Sequence, residues 1–221
     1  MQYFLIHGID PSRNSFMENQ FSKYGVSNVI WITYPNKNDP LPNVCTNPTL
    51  PKGMIACTYK HYLALKDIVE KGHEHAVIME DNIEFRGNVP EALSRYLKDL
   101  PEDWDCVFDS DFLGLKTLDD IVPNISVYKQ PYGTYQNVVY YTAKYSRLQK
   151  EKRGVAKGAH FLFLNQKAAK KLYENFLPFH ECSDHHYNIL FEKLNMNVYW
   201  AEPPNVHKID RPSTWKDNVK S

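Results

Sequence analysis

The feature that most constrains this chain is an apolar run that ends in acidic residues. Ala76 to Met79 is continuously apolar, and Glu80, Asp81 and Asn82 follow it directly. Such a run is typical of a strand buried on both faces, as in a parallel sheet that helices cover. The chain therefore needs helices on both sides of a central sheet, and polar groups collect where this strand ends.

Strand and helix patterns alternate along the rest of the sequence. The predicted strands are Tyr3–His7, Asn28–Tyr34, Ala76–Met79, Asp105–Phe108, Ala159–Leu164 and Asn197–Ala201. The predicted helices are one ending at Tyr24 before Gly25, one from Ile55 to Val69, one over Pro90–Leu100, one capped by Asn165 and one from Ser183 to Leu194. This order predicts a single α/β domain over residues 1–221, with a mainly parallel central sheet flanked by helices. The irregular stretch 128–154 is expected to be a flexible loop over the site.

Composition excludes several classes of protein. The chain has 221 residues, with 26 basic and 26 acidic side chains, so it has no net field to attract nucleic acid. It has no apolar stretch of about 20 residues, so we expect no integral membrane segment. Four cysteines at long spacings favour a soluble protein of the reducing cytoplasm over a disulfide framework. The oligomeric state stays open.

Acidic clusters follow two predicted strands, where α/β sheets bind ligands. Glu80 and Asn82 share one side of an extended segment, while Asp81 points to the other. Hard oxygen ligands of this kind suit Mg²⁺ or Mn²⁺ that carries substrate phosphates. Asp109-Ser110-Asp111 is a rival metal motif, although Asp and Ser side chains in this pattern also nucleate turns.

A third cluster, His180 to His186, contains histidine, cysteine and aspartate. Its spacing fits no compact zinc pattern, so zinc is not the favoured interpretation. Asp184 is of more interest, because it is predicted in the first turn of a helix, where the dipole keeps a carboxylate ionised as a general base requires. Ser183 and Asp184 would also cap that helix.

Several segments together resemble glycosyltransferase family 25, the lipopolysaccharide and collagen sugar transferases, which has bacterial and viral members. The family has Gly-Glu-Ile-Gly-Cys-x-x-Ser-His at the start of a helix and, further on, a strand ending in Glu-Asp-Asp. The corresponding segments here are Gly53–His61 and Ala76–Phe85, followed by Gly158–Leu164, the Ser183-Asp184 helix and Val198–Trp200 before Pro203. The resemblance covers roughly residues 2–210.

Three departures from the family pattern bear on the donor and the metal. Met54 replaces a glutamate, Lys60 replaces a serine, and Asn82 replaces the last acidic residue of Glu-Asp-Asp. An amide oxygen still ligates a hard cation, but it neutralises less charge. These differences bear on the choice of donor and on the strength of metal binding.

The resemblance implies a GT-A (Rossmann-like) fold and an inverting, metal-dependent transfer of a sugar from a nucleotide-sugar, with a UDP-sugar favoured, to a glycan or glycoprotein hydroxyl. Mn²⁺ or Mg²⁺ would be held by Glu80, Asp81, Asn82 and His207. Asp184 is the candidate base, with Asp111 second. The residues expected at the nucleotide-sugar are Ile6, His7, Ile9, Arg13, Tyr34, Lys60, His61, Glu80, Asp81 and His160.

Two other functions remain open at this point. A metal-dependent phosphoesterase would use Asp109, Asp111, His185 and His186. A non-catalytic module that binds a nucleotide or sugar would be a transferase relic, in which Asn82 marks a weakened metal site. UDP binding with and without Mn²⁺ distinguishes the three.

Overall fold

This computed structural model describes residues 1–109, 127–129, 158–201 and 204–209, with 127–129 as backbone alone. The strands in these ranges are β1 (Gln2–Ile6), β2 (Val29–Ile32), β3 (His75–Glu80), β4 (Ile83–Phe85), β5 (Cys106–Phe108), β6 (Val127–Lys129), β7 (Phe161–Asn165), β8 (Val198–Ala201) and β9 (Val206–Lys208). The helices are α1 (Pro11–Lys23), α2 (Lys52–Glu70), α3 (Val89–Asp99), α4 (Gln166–Phe176) and α5 (Ser183–Lys193).

The central sheet has the strand order β2-β1-β3-β7-β5-β8-β6. β1 is parallel to β2 and β3, and β5 is parallel to β8. β7 is antiparallel to both β3 and β5, and β6 is antiparallel to β8. Because β7 runs against β3, the start of β7 lies at the same edge of the sheet as the carboxyl end of β3.

Side-chain alternation along the strands builds one core on each face of the sheet. Phe4 and Ile6 of β1 pack with residues of α2, α4 and α5. Tyr3 and Leu5 pack on the other face with residues of α1 and α3. The apolar run of β3 divides in the same way, so the strand is buried on both faces, as its sequence predicts.

A second, two-stranded sheet joins β4 to β9 in antiparallel register. Ile83 faces Lys208, Glu84 faces His207 and Phe85 faces Val206. The backbone N–H of Ile209 also donates to the carbonyl of Asn82 at 2.9 Å. The segment that carries His207 is thereby fixed beside the end of β3.

The predicted fold class, α/β with a mainly parallel sheet between helices, is confirmed. The predicted cap of α4 is confirmed, because the Asn165 side chain accepts a hydrogen bond from the backbone N–H of Ala168 at 2.8 Å. The predicted cap of α5 is wrong: Cys182 is the N-cap, and Ser183 and Asp184 lie inside the first turn. β4 and β9 were not predicted: three residues are too few to show a period, and neither strand is continuously apolar as the three-residue β5 is.

The expected loop at 128–154 begins as strand β6, because residues 128 and 129 pair with β8. The rest of that prediction lies outside the described residues. Among the described helices, none has the length and apolar character needed to cross a membrane.

Candidate active site

The end of β3 sends two carboxylates to opposite faces of the sheet. Ala76 and Ile78 belong to the core under α2, and Glu80 continues this series towards the same face. Val77 and Met79 belong to the other core, and Asp81 continues that series towards α1. Strand alternation alone therefore separates two acidic residues that are adjacent in sequence.

Asp81 is buried, with 1% of its surface exposed, and protein groups surround its carboxylate. The backbone N–H of Gly8 donates to Oδ2 at 3.0 Å, and Nδ1 of His7 lies 2.8 Å from the same oxygen. The Arg13 guanidinium donates to Oδ1. Since both oxygens already have protein donors, Asp81 binds the turn after β1 to helix α1. Metal ligation by Asp81 stays a prediction.

His7 lies in the same cluster, and its ring packs edge-on against Trp31 with centroids 5.1 Å apart. Its Nε2 is buried and has no hydrogen-bond partner within the described ranges. This nitrogen is a polar atom on the nucleotide side of the predicted site that a ligand could satisfy.

Glu80 lies in a polar cluster on the other face of the sheet. Its Oε1 is 3.4 Å from Nε2 of His61 and 4.0 Å from Sγ of Cys57, and its Oε2 is 3.9 Å from Nε2 of His160. His61 and Cys57 are one turn apart on α2, so they face the same side of that helix. His160 reaches the cluster because β7 begins at this edge, and the backbone N–H of Glu80 donates to the His160 carbonyl at 3.0 Å.

Burial shifts the pKa of two side chains in this cluster. It raises the pKa of the Cys57 thiol, and the Glu80 charge raises it further. It also lowers the pKa of His160, against an opposing effect of Glu80. Burial raises the pKa of the Tyr187 phenol and keeps it protonated, and its oxygen lies 3.3 Å from Nδ1 of His61. The Tyr187 hydroxyl can therefore donate to Nδ1, which leaves the Nε2–H of His61 facing Glu80.

Lys60 is fully buried beneath the carboxyl ends of β1 and β2. Its ammonium donates to the carbonyl of His7 at 2.6 Å and to Oδ1 of Asn36 at 3.1 Å. Burial lowers the pKa of Lys60 to about 8. The lysine that replaces the family serine thus connects the loops after the first two strands.

Asp184 lies in the first turn of α5. The thiol of Cys182 donates to its Oδ1 at 3.0 Å, and the backbone N–H of His185 donates to the same oxygen at 2.9 Å. Burial raises the pKa of Asp184, but His185 and these hydrogen bonds outweigh burial and lower the pKa below its usual value. The carboxylate is therefore ionised at neutral pH, as the sequence predicts.

The other two histidines of the cluster from His180 to His186 contact groups away from Asp184. His180 meets the Thr46 hydroxyl at 3.1 Å, and Nε2 of His186 lies 2.8 Å from the carbonyl of Phe176. Cys182, Asp184 and His185 of this cluster place three ligand atoms within 4.8 Å of one another, a grouping that the spacing alone does not indicate.

Asp109 has a structural role. Its Oδ2 accepts the Tyr96 hydroxyl at 2.7 Å, and its Oδ1 accepts the backbone N–H of Asn205 at 2.6 Å. These bonds hold the residues before β9. Asp111 lies outside the described residues. With Asp109 and His186 both bound elsewhere, the set proposed for a phosphoesterase is not assembled in the described part of the chain.

The remaining predicted contacts differ in exposure. Ile9 is 76% exposed and Tyr34 is 58% exposed, and they follow the first two strands. Ile6 is buried in the core, so its side chain is not available to a nucleotide. His207 is half-buried and shares with Glu84 the face of the small sheet opposite Phe85.

The family model for glycosyltransferase family 25 (LPS biosynthesis protein) matches residues 9–187, most of the chain. The chain belongs to glycosyltransferase family 25. Membership agrees with the GT-A fold that the resemblance implied. A curated relative, the rat "probable inactive glycosyltransferase 25 family member 3", is 30% identical over 77 residues. That match covers 34% of this chain and 13% of the relative.

The chain also matches several solved glycosyltransferase structures. Mouse xyloside xylosyltransferase 1 has a TM-score of 0.40 at 7% identity, covering 89% of this chain and 69% of that one. A glycosyltransferase for the major capsid of PBCV-1 has a TM-score of 0.39 at 12% identity, covering 96% and 95%. An active-site mutant of LgtC has a TM-score of 0.41 at 10% identity, covering 100% and 91%.

Sequence reasoning missed four contributors to this candidate site. They are Cys57, Tyr187, Asn36 and the backbone N–H of Gly8. Cys57 lies one turn before His61, and this spacing is a signal that both face one partner. The contacts of Asn36 and Tyr187 join segments far apart in the chain, so no local pattern predicts them.

Proposed function

We propose that this chain transfers a sugar from a nucleotide-sugar, with a UDP-sugar favoured, to a hydroxyl of a glycan or protein acceptor, and that Mn²⁺ or Mg²⁺ assists. The observation that carries the proposal is the convergence of two carboxylates on His160. Oε2 of Glu80, at the end of β3, lies 3.9 Å from Nε2 of His160, and the charge of Asp184 at the start of α5 also acts on this imidazole. Burial lowers the pKa of His160, and both carboxylates oppose that effect. A donor-side carboxylate and an ionised candidate base therefore border one site.

The residues at the end of β3 fit a divalent cation. Oδ1 of Asn82 is buried without a hydrogen-bond partner among the described residues, and such an oxygen costs about 1–3 kcal/mol unless a donor or cation satisfies it. The register places Asn82 and His207 on one face, because residue 82 meets residue 209 where Glu84 meets His207. Glu80, Asn82 and His207 would supply carboxylate, amide and imidazole donors, which suit Mn²⁺.

A cation held there would neutralise the charge that develops on a nucleoside diphosphate leaving group. The chain's own residues would perform the other tasks. Asp81 would fix the Gly8 turn, Lys60 would hold the loops after β1 and β2 together, and exposed Ile9 and Tyr34 would meet the nucleoside. Inversion needs a single base, and Asp184 would take the proton of the acceptor hydroxyl. The donors described above both meet Oδ1 of Asp184, so Oδ2 would accept that proton.

The test is Asp184→Asn in a transfer assay, after a nucleotide-release screen has identified the UDP-sugar donor. The asparagine keeps an oxygen for the His185 N–H, so we expect normal folding and normal UDP–Mn²⁺ binding. We expect transfer to fall by at least ~10²-fold, because a general base contributes ~10²–10⁴-fold. Glu181→Gln is the matched control, since it removes a neighbouring carboxylate with no part in the proposed chemistry. A near wild-type rate for Asp184→Asn would assign Asp184 a structural role only.

Asn82 also favours the second candidate, a nucleotide-binding relic. Calorimetry with UDP separates the two. A transferase should bind UDP much more tightly with Mn²⁺, whereas a relic should bind it equally with and without the metal.

A further inference from the structure

We propose that Cys182, Asp184 and His185 form a second metal site, for a borderline-soft divalent cation such as Zn²⁺, which blocks Asp184 when occupied. The cation binding stands on its own geometry, while the inhibitory consequence rests on the proposed function. The site differs from the predicted Mn²⁺ site in its residues, its position and its preferred metal.

The three ligand atoms are already close together. Sγ of Cys182 lies 3.0 Å from Oδ1 of Asp184, and all three side chains place a ligand atom within 4.8 Å of the others. Tetrahedral zinc with bonds of about 2.0–2.3 Å separates its ligands by roughly 3.3–3.8 Å, so small side-chain rotations suffice. The ligands come from four consecutive residues at the start of α5, so binding needs no rearrangement of distant segments.

The site is accessible, and its thiol is not committed elsewhere. Cys182, Asp184 and His185 are each half-buried. Cys182 is the N-cap of α5 but makes no side-chain capping bond, and its Sγ–H donates to Asp184. A metal at this position replaces that proton: the Sγ–metal bond forms as the S–H bond breaks, and the proton leaves to solvent.

A neighbouring carboxylate supports the imidazole. Oε2 of Glu181 lies 3.8 Å from Nδ1 of His185. Histidines that bind metals commonly donate their second ring N–H to a carboxylate, which orients the ring and makes it more basic. With His185 bound through Nε2, Glu181 is placed for that role.

Ligand chemistry separates this site from the one at Glu80. A thiolate, an imidazole and one carboxylate select Zn²⁺ or Co²⁺ over Mn²⁺. Cys57 also lies within 4.8 Å of a histidine and a glutamate, but it is buried. A cation on Asp184 occupies the carboxylate that would take the acceptor proton, so micromolar Zn²⁺ is expected to inhibit transfer that Mn²⁺ supports.

The experiment is a Co²⁺ titration of the reduced full chain, followed by its thiolate-to-cobalt charge-transfer absorption. We expect one equivalent to give this absorption, Zn²⁺ to abolish it, and excess Mn²⁺ to leave it unchanged. Cys182→Ser should remove it and His185→Gln should weaken binding at least ~10-fold, the smallest loss typical of a metal-site partner. Cys45→Ser is the matched control, because Cys45 is also a half-buried free cysteine, and it should bind as the wild type does.

Two results would overturn the site: no thiolate absorption in the wild type, or an absorption that Cys57→Ser removes and Cys182→Ser leaves. The inhibitory role is tested separately, by Zn²⁺ titration of transfer in the wild type and in Cys182→Ser, and equal inhibition of the two would refute it. If the wild type transfers no sugar, the proposed function fails, yet the Co²⁺ absorption still decides the site.

Discussion

Replacement of Asp81 by asparagine tests whether Asp81 acts through the fold or through the metal. The change removes the charge that faces the Arg13 guanidinium inside the protein, and loss of one partner of a buried ion pair costs about 3–5 kcal/mol. Asp10 lies 3.6 Å from Nε of Arg13 and retains part of the attraction. The new amide oxygen also keeps an acceptor for one donor. We therefore expect the lower end, a loss of about 3 kcal/mol in the free energy of unfolding.

For a chain of this size, 1 kcal/mol shifts the melting temperature by about 2–4 °C. Asp81→Asn should thus melt about 6–12 °C below the wild type in a thermal scan, with urea unfolding as the independent measurement. Asp10→Asn is the matched control, because asparagine still accepts from the Ser12 N–H as Asp10 does, and we expect a change within about 0.5 kcal/mol.

The same proteins are then titrated with UDP, with and without Mn²⁺. Asp81→Asn should retain the ratio of the two affinities, whereas Glu80→Gln should bring that ratio close to one. The reasoning is refuted if Asp81→Asn is as stable as the wild type and loses the effect of Mn²⁺. That result would restore Asp81 as a metal ligand, as the sequence alone suggests.

Three further perturbations follow from the buried polar groups. Asp109→Asn replaces the carboxylate that accepts from the Tyr96 hydroxyl and the Asn205 N–H. Calorimetry should show a loss of about 1–3 kcal/mol in the free energy of unfolding, while Mn²⁺ keeps its effect on UDP binding. Loss of the Mn²⁺ effect would make Asp109 a metal ligand. The pKa of Lys60 is lowered to about 8, so above pH 8 the unfolded chain binds more protons than the folded chain. In urea titrations, the stability of the wild type relative to Lys60→Met should therefore rise from pH 8 towards about pH 10. Parallel pH profiles of the two proteins would contradict this burial effect. The folded protein lowers the pKa of Asp184 below its usual value of 3.8. The ionised carboxylate therefore contributes its full stabilisation above pH 3.8, and this stabilisation is lost as the pH falls through the pKa of the folded state. Acid unfolding of Asp184→Asn should lack this pH-dependent loss of stability.

Local chemistry allowed much of the architecture to be predicted. The apolar run of β3 required a strand buried on both faces, and the period of two already assigned Glu80 and Asp81 to opposite sides. Asn165 is found at the helix cap where it was predicted, because its side chain bonds a backbone N–H three residues away. These features depend on neighbours within about one turn or one strand, which the sequence displays directly.

The contribution of each acidic residue depended on partners that are distant in the chain. Arg13 lies 68 positions from Asp81, and Asn205 lies 96 positions from Asp109. The sequence shows that each carboxylate follows a strand, but a metal ligand and a buried ion pair look the same at that level. The difference is made by the donors that the fold brings to each oxygen.

What the sequence determined by itself is most of the series of helices and strands, the family, and the acidic residues at which chemistry is expected. Only the tertiary structure decided that β7 runs against β3, which brings His160 beside Glu80, and that Cys182, Asp184 and His185 converge while His180 and His186 turn away. The physical reason is that periodicity and capping act over a few residues. Strand order and side-chain direction at a helix start are instead fixed by burial of the whole apolar surface at once.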